Sequence, residues 1–211
     1  MGVDCLPNDA QGRLPGGPAL SGALTAGITD EPLHPGQVSA VFPGYPRPIA
    51  GESAAATRYR RDRDGAHVDG LLPVGGRRRR MMREPHAYIL GLPLTAVTSE
   101  TSPLVVWEGS HEIIREAFRA ALAGTPVAHW GEVDLTETYH VARRRCFESC
   151  ARVEIIARPG EALLLDPLIL HGITPWRGTG SAPRIVAYFR PMTTYTRWIA
   201  GEGAHGLLSH G

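Results

Sequence analysis

Between Tyr88 and Phe189 the apolar residues come mostly in runs of four to seven, each closed by Gly, Pro or Ser. Runs of that length suit strands and are too short for a helix that must bury a face. The runs are Tyr88–Leu94, Leu104–Trp107, Arg152–Ala157, Ala162–Leu165 and Arg184–Phe189, with Pro159-Gly160 as a tight turn between two of them. Many short strands with frequent turns point to a sandwich or barrel of antiparallel sheets. The spacing predicts one clear helix, where Ser110 can cap and Ile113, Ile114, Ala117, Phe118, Ala121 and Leu122 recur down to Gly124. A second is expected from Asp134, which has capping-box spacing to Glu137, to about Glu148.

The first fifty residues are rich in Gly and Pro, which remove donors and punctuate regular structure, so they read as loops with one short strand at Gln37–Phe42. Nothing repeats, and no glycine-rich phosphate loop is present. A length of 211 residues suffices for one domain with a real core. The expected organisation is therefore a single domain over 1–211. It has a Gly/Pro-rich extension at 1–50, a core at 60–192 and a flexible tail at 200–211 that carries His205 and His210.

Composition excludes several functions. A net charge of +1 gives no global reason to expect nucleic acid or an anionic membrane as partner. No apolar stretch approaches a membrane span, and no charged-then-apolar leader opens the chain, so the cytoplasm is the default location. The cysteines, Cys5, Cys146 and Cys150, contain no CxxC pair, which argues against a disulfide framework or a structural zinc site.

Three places carry chemistry. In His67-Val68-Asp69 an imidazole and a carboxylate two apart on an extended segment share one face, supplying two of the three ligands of a two-histidine, one-carboxylate metal site. By itself this is a common pairing, often no more than a surface hydrogen bond. His171 follows Leu168-Ile169-Leu170, where a core face meets a cavity; alone, a histidine satisfied inside the core is the plainer reading. Arg184 opens an otherwise apolar strand thirteen positions later. Burying it is costly unless a carboxylate meets it, and its fork suits a carboxylate ligand; a salt bridge or an exposed strand end are the alternatives.

In order and spacing, these residues resemble the phytanoyl-CoA dioxygenase-like branch of the 2-oxoglutarate oxygenases. That pattern is HxD, about a hundred residues, a distal His, then ten to fifteen residues and an Arg. Here His171 comes 104 residues after His67, and Arg184 thirteen after that. Ser102–His111 and Arg158–His171 are similar to two further family segments. The resemblance covers about residues 60 to 192, departing in the first sixty residues and at Trp107-Glu108, where relatives have proline. An Asp at position 69, rather than Ala or Gly, is unlike the halogenating members.

The resemblance implies a double-stranded β-helix, a cupin-like jelly-roll, with a few helices outside. It further implies Fe(II) held by His67, Asp69 and His171, 2-oxoglutarate as cosubstrate clamped by Arg184, and oxidation of a small molecule with release of succinate. Two rivals stand beside it: a cupin-type metal enzyme without 2-oxoglutarate, and a non-catalytic jelly-roll binding module. Arg77 and Arg80, in the run Arg77–Arg83, are candidates to cradle an anionic substrate, against the plainer reading of a solvated loop or strand edge. Tyr88 and Trp176 are further substrate-side candidates. Substrate, reaction outcome and oligomeric state stay open.

Overall fold

A computed structural model describes residues 2–4, 6–21 and 31–201. Its elements in chain order are β1 (Gly2–Asp4), β2 (Gln37–Val41), α1 (Ala54–Asp62), β3 (Leu71–Val74), β4 (Arg79–Met82), β5 (Ile89–Pro93) and β6 (Leu104–Trp107). They continue with α2 (Ser110–Leu122), α3 (Thr136–Ser149), β7 (Arg152–Ile155), β8 (Leu163–Leu165), β9 (His171–Ile173), β10 (Arg184–Phe189) and α4 (Tyr195–Ala200). The chain is mainly β, and every pairing is antiparallel. One sheet runs β1-β2-β10-β5-β8, another β7-β6-β9, and β3-β4 stands as a hairpin. Among the described residues no helix is long and apolar enough to cross a membrane.

Alternation along the strands builds the layers. In β6, Leu104 and Val106 join Ile169, Leu163 and Leu165 between the sheets. Val105 and Trp107 point the other way, into the largest cluster, with Phe118 of α2, Tyr139 of α3 and Trp198 of α4. In β10, Val186 and Tyr188 face inward with Ile89, while Ala187 and Phe189 pack outside with Tyr88 and Leu90. Gly91 lies opposite Tyr188 in register, and a Cβ there would sit 3.0 Å from the tyrosine ring, so the glycine makes room for it.

The runs Leu104–Trp107 and Arg184–Phe189 are strands at those bounds, and the other three are strands shortened by one or two residues at an end. Three local expectations are corrected. Ser110 is the first residue of α2 rather than its cap; Gly109, with φ 77°, precedes it, and the Ser110 hydroxyl accepts from Leu170 N–H at 2.9 Å. Asp134 and Glu137 form no capping box: Asp134 accepts the Thr136 N–H and hydroxyl, and both carboxylates reach Arg79. The arginine run is half strand, because Leu71 and Met82 pair and both bury, which zips the hairpin around an exposed turn holding Arg77 and Arg78. Helices α1 and α4 and strands β1, β3 and β4 went unread. β2 lies within the five-stranded sheet, against β10. Most of the expected tail, residues 202–211, and Cys5 lie outside the described residues.

Candidate metal centre

His67 is delivered by the end of α1. Arg63 and Gly65 both donate backbone N–H to Tyr59 C=O, and the Tyr59 hydroxyl donates to Ala66 C=O at 2.7 Å. Asp64, with φ 56°, turns the chain, and its buried carboxylate accepts two bonds from Arg152 at 2.8 and 3.0 Å. The segment then meets β9. His67 N–H donates to His171 C=O at 2.8 Å, and His171 N–H donates back to His67 C=O at 3.0 Å. This one antiparallel bridge joins the two histidines directly, so their rings lie with centroids 4.6 Å apart. Val68 turns into the core, where its N–H donates to the Tyr139 hydroxyl, and Asp69 comes back to the His67 side as strand alternation requires.

His171 is held from the other direction. Asp166 accepts the Leu168 N–H at 2.8 Å and pairs with buried Arg115 at 2.6 Å, setting the turn. The Leu170 backbone is then gripped on both groups, N–H by Ser110 and C=O by Trp107. Gly172 is required by close approach: a Cβ there would lie 2.4 Å from the Asp64 carbonyl oxygen.

One ligand atom from each of His67, Asp69 and His171 lies within 4.8 Å of the others, so this group could hold a metal ion. His67 Nε2 is 3.3 Å from Asp69 Oδ1, and His171 Nε2 is 3.8 Å from Oδ2. Each ring has its Nδ1 on a backbone carbonyl, His67 on Gly65 at 2.9 Å and His171 on Ile169 at 3.0 Å. A carbonyl can only accept, so Nδ1 carries a proton in both rings and Nε2, on the Asp69 side, is the nitrogen left to bond Asp69 when protonated or a metal when not.

The electrostatics separate the two rings. Burial pushes the His171 pKa down to about 4, against the pull of Asp69, so it is a neutral donor at neutral pH. His67 opens onto a cavity, 53% exposed; its depth disfavours charge, but the bond to Asp69 outweighs that and raises its pKa. Burial works against the Asp69 charge too, yet His171, His67 and Arg190 hold its carboxyl well below the usual range. Arg190 is a neighbour the sequence reading missed: its Nε donates to Asp69 Oδ2 at 2.5 Å, leaving Oδ1 turned toward His67. Period-two counting from Arg184 would have found it, since 184, 186, 188 and 190 share a face.

A cavity of about 550 Å³ opens beside these three residues. The two sheets line it with Ile89, Leu104, Leu165, His171, Ile173 and Tyr188. The stretch from Gln37 to Ile49 walls another side, with Gln37, Tyr45 and Arg47, and α1 adds Arg60. Arg184 lies one hydrogen bond back from the wall. It is 1% exposed, its Nη2 donates to the Tyr188 hydroxyl at 2.9 Å, and its Nε and Nη1 have no partner among the described residues. Its charge reaches Tyr45, whose pKa burial raises and Arg60 and Arg184 partly bring back.

The other candidates lie elsewhere. Tyr88 is buried in the outer cluster, the opposite face of its sheet from the cavity, with burial raising its pKa to about 12. Trp176 is half-buried and braces the Tyr45 backbone, its N–H donating to Tyr45 C=O at 2.8 Å, without lining the cavity. Arg77 is in the exposed hairpin turn, and Arg80 lines a different, smaller cavity.

No protein-family model matches the sequence, and no curated protein matches it. Among solved structures it is similar to the non-haem α-ketoglutarate-dependent carbocyclase SnoK from nogalamycin biosynthesis: 16% identity, TM-score 0.43, 76% of this chain and 49% of that one. It is also similar to HygX from Streptomyces hygroscopicus with nickel, 2-oxoglutarate and hygromycin B bound, at 15% identity, TM-score 0.40, 82% of this chain and 61% of that one. The non-haem iron oxygenase OrfP in complex with Fe and α-ketoglutaric acid follows at 14% identity, TM-score 0.37, 76% and 57%. The chain spans 49% to 61% of the length of these proteins. At these TM-scores the likeness carries no weight for the chemistry, which rests on the chain's own residues.

Proposed function

We propose that this chain is a non-haem Fe(II)- and 2-oxoglutarate-dependent oxygenase of the phytanoyl-CoA dioxygenase-like kind, one domain built as a double-stranded β-helix, oxidising a small organic molecule. The observation that carries the reading is Arg184, a buried guanidinium with two nitrogens unpartnered among the described residues, one hydrogen bond behind a cavity that also holds the His-Asp-His set.

The residues fit both groups. Two imidazole nitrogens and one carboxylate oxygen suit Fe(II) and leave coordination positions open. An unpaired buried guanidinium is expensive unless something anionic meets it, and a dicarboxylic cosubstrate supplies that charge. His67, Asp69 and His171 would hold the metal, and Arg184 with the Tyr188 hydroxyl would hold the cosubstrate's distal carboxylate. When bound, iron and 2-oxoglutarate would supply dioxygen activation coupled to decarboxylation to succinate. The protein's own part is orientation. The carbonyls of Gly65 and Ile169 fix the ring tautomers, and Arg190 occupies one Asp69 oxygen. The wall from Gln37 to Ile49 narrows water access, and about 550 Å³ suits a small-molecule substrate. A cupin-type enzyme without 2-oxoglutarate would leave Arg184 unexplained, and a simple binding module would leave the three converging ligands unexplained.

Anaerobic titration with Fe(II) and then 2-oxoglutarate tests this through the weak visible charge-transfer band of the chelate. The band is expected in the wild type, absent in His67→Ala, and displaced to higher 2-oxoglutarate concentration in Arg184→Gln. Iron binding with no band on adding 2-oxoglutarate would overturn the cosubstrate assignment.

A further inference from the structure

A second cavity, of about 240 Å³, shares His67 and Arg60 with the main one and is otherwise walled largely by α1, the segment 65–68 and α3, with Arg80 of β4. Its charge is lopsided. Arg60, Arg80 and Arg143 line it, against Glu52 as the one carboxylate among the lining residues. Glu52 is already committed, paired to Arg60 and accepting the Thr57 hydroxyl. Arg80 gives its Nη1 to the Leu71 carbonyl at 3.3 Å, and neither it nor Arg143 has a carboxylate partner among the described residues.

Arg143 is also held in place. Its guanidinium lies 5.1 Å from the ring centre of Tyr59 on one helix and 5.1 Å from that of Tyr139 on the other. Both rings are anchored at their hydroxyls, Tyr59 to the Ala66 carbonyl and Tyr139 to the Val68 N–H, on either side of His67. Aromatic faces neutralise no charge; they orient a guanidinium plane and leave its donors for something else. Two half-buried guanidiniums on one small cavity repel each other unless an anion joins them, and planar forks suit oxygen anions.

We propose that this second cavity is an oxyanion site, taking a phosphate, sulfate or carboxylate group between Arg80 and Arg143. The occupant is either a free anion or the anionic arm of a molecule whose body lies in the main cavity, and the site stands whether or not the oxygenase reading holds.

The test uses the full-length, metal-free protein and two probes, inorganic phosphate and phenyl phosphate. In the wild type, phosphate should bind saturably and shift the Nε–H NMR resonances of Arg80 and Arg143 while leaving that of Arg184 in place. Arg143→Gln and Arg80→Gln should each weaken binding at least tenfold, and Arg184→Gln should not. If one of these variants fails to fold, the wild-type resonance map and the other variant decide. Phenyl phosphate binding at least tenfold tighter than phosphate supports the site and assigns a larger molecule's anionic arm. Equal or weaker binding supports it as a free-anion site. Absence of saturable phosphate binding, or shifts confined to Arg184, overturns the proposal.

Discussion

The two sheets facing each other across the cavity contribute opposite kinds of order. On the three-stranded side the two histidines are held by the backbone. His67 and His171 exchange backbone bonds, their Nδ1 atoms rest on carbonyls, and the layer behind them is the largest apolar cluster, packed on α2, α3 and α4. On the five-stranded side, β10 carries Arg184 with two nitrogens unpartnered among the described residues, and Arg190 just beyond its end leans on Asp69. One side fixes its two rings by backbone bonding; the other holds a buried guanidinium with donors to spare. Backbone bonding provides precision, and unmet charge provides affinity for a counter-charge.

The sharpest way to break that contrast is on the finished side. His171→Ala should lower affinity for a divalent metal by more than about 100-fold, exceeding the loss typical of a residue that merely supports a ligand. Calorimetric titration reads it, and near-wild-type affinity would remove His171 from the metal set. On the waiting side, Arg184→Met should have two effects of opposite sign. Affinity for 2-oxoglutarate should fall roughly 10- to 100-fold, matching charge-assisted bonds of about 1.5–3 kcal/mol. The free protein should become more stable by about 1 kcal/mol, because a buried charge without a partner is gone. A destabilised Arg184→Met protein with unchanged cosubstrate affinity would show the arginine to be purely structural.

Gly172→Ala probes the backbone clip. Its Cβ would sit 2.4 Å from the Asp64 carbonyl oxygen, so β9 must shift. Denaturant unfolding should show a loss of about 1–3 kcal/mol, and metal affinity should drop with it. The smallest expected effect concerns His86, buried against the Arg190 carbonyl, with its pKa lowered by burial to about 4. The unfolded chain takes up that proton near pH 6.5 and the folded chain only near pH 4. Stability is therefore full above pH 6.5 and declines as pH falls toward 4. His86→Asn keeps a donor for the carbonyl and removes the titration, so its unfolding midpoint should change less over that interval. Parallel curves for the two proteins would show that His86 does not titrate there.

How far the sequence could be read varies by residue. His67, Asp69 and His171 were legible because their order and separations resemble a known pattern and because strand alternation places residues 67 and 69 together. The structure brings these three side by side, with Arg184 buried at the start of the strand expected for it. Tyr88 was misplaced by one step of the pleat: its neighbour Ile89 lines the cavity, and Tyr88 faces out. Arg190 was passed over because an arginine after an apolar run looks like a solvated strand end. Of the cavity wall from Gln37 to Ile49 the opening strand was read, but the rest has no periodicity, since Gly and Pro shape it and contacts distant in sequence place it, such as the Trp176 backbone N–H to Tyr45 C=O.

By itself, then, the amino-acid sequence determined the local alphabet of this protein. Most of its short apolar runs favour strands, its turn residues bound them, and His67, Asp69 and His171 are residue types that can hold a metal. Tertiary structure decided which charges have partners. Asp69 received Arg190, Asp64 received Arg152, and Arg184 among the described residues received only a tyrosine hydroxyl. The physical reason is range: strand period and turn preference act over a few residues, whereas these pairings join positions 88 and 121 residues apart and exist only once the sheets have closed.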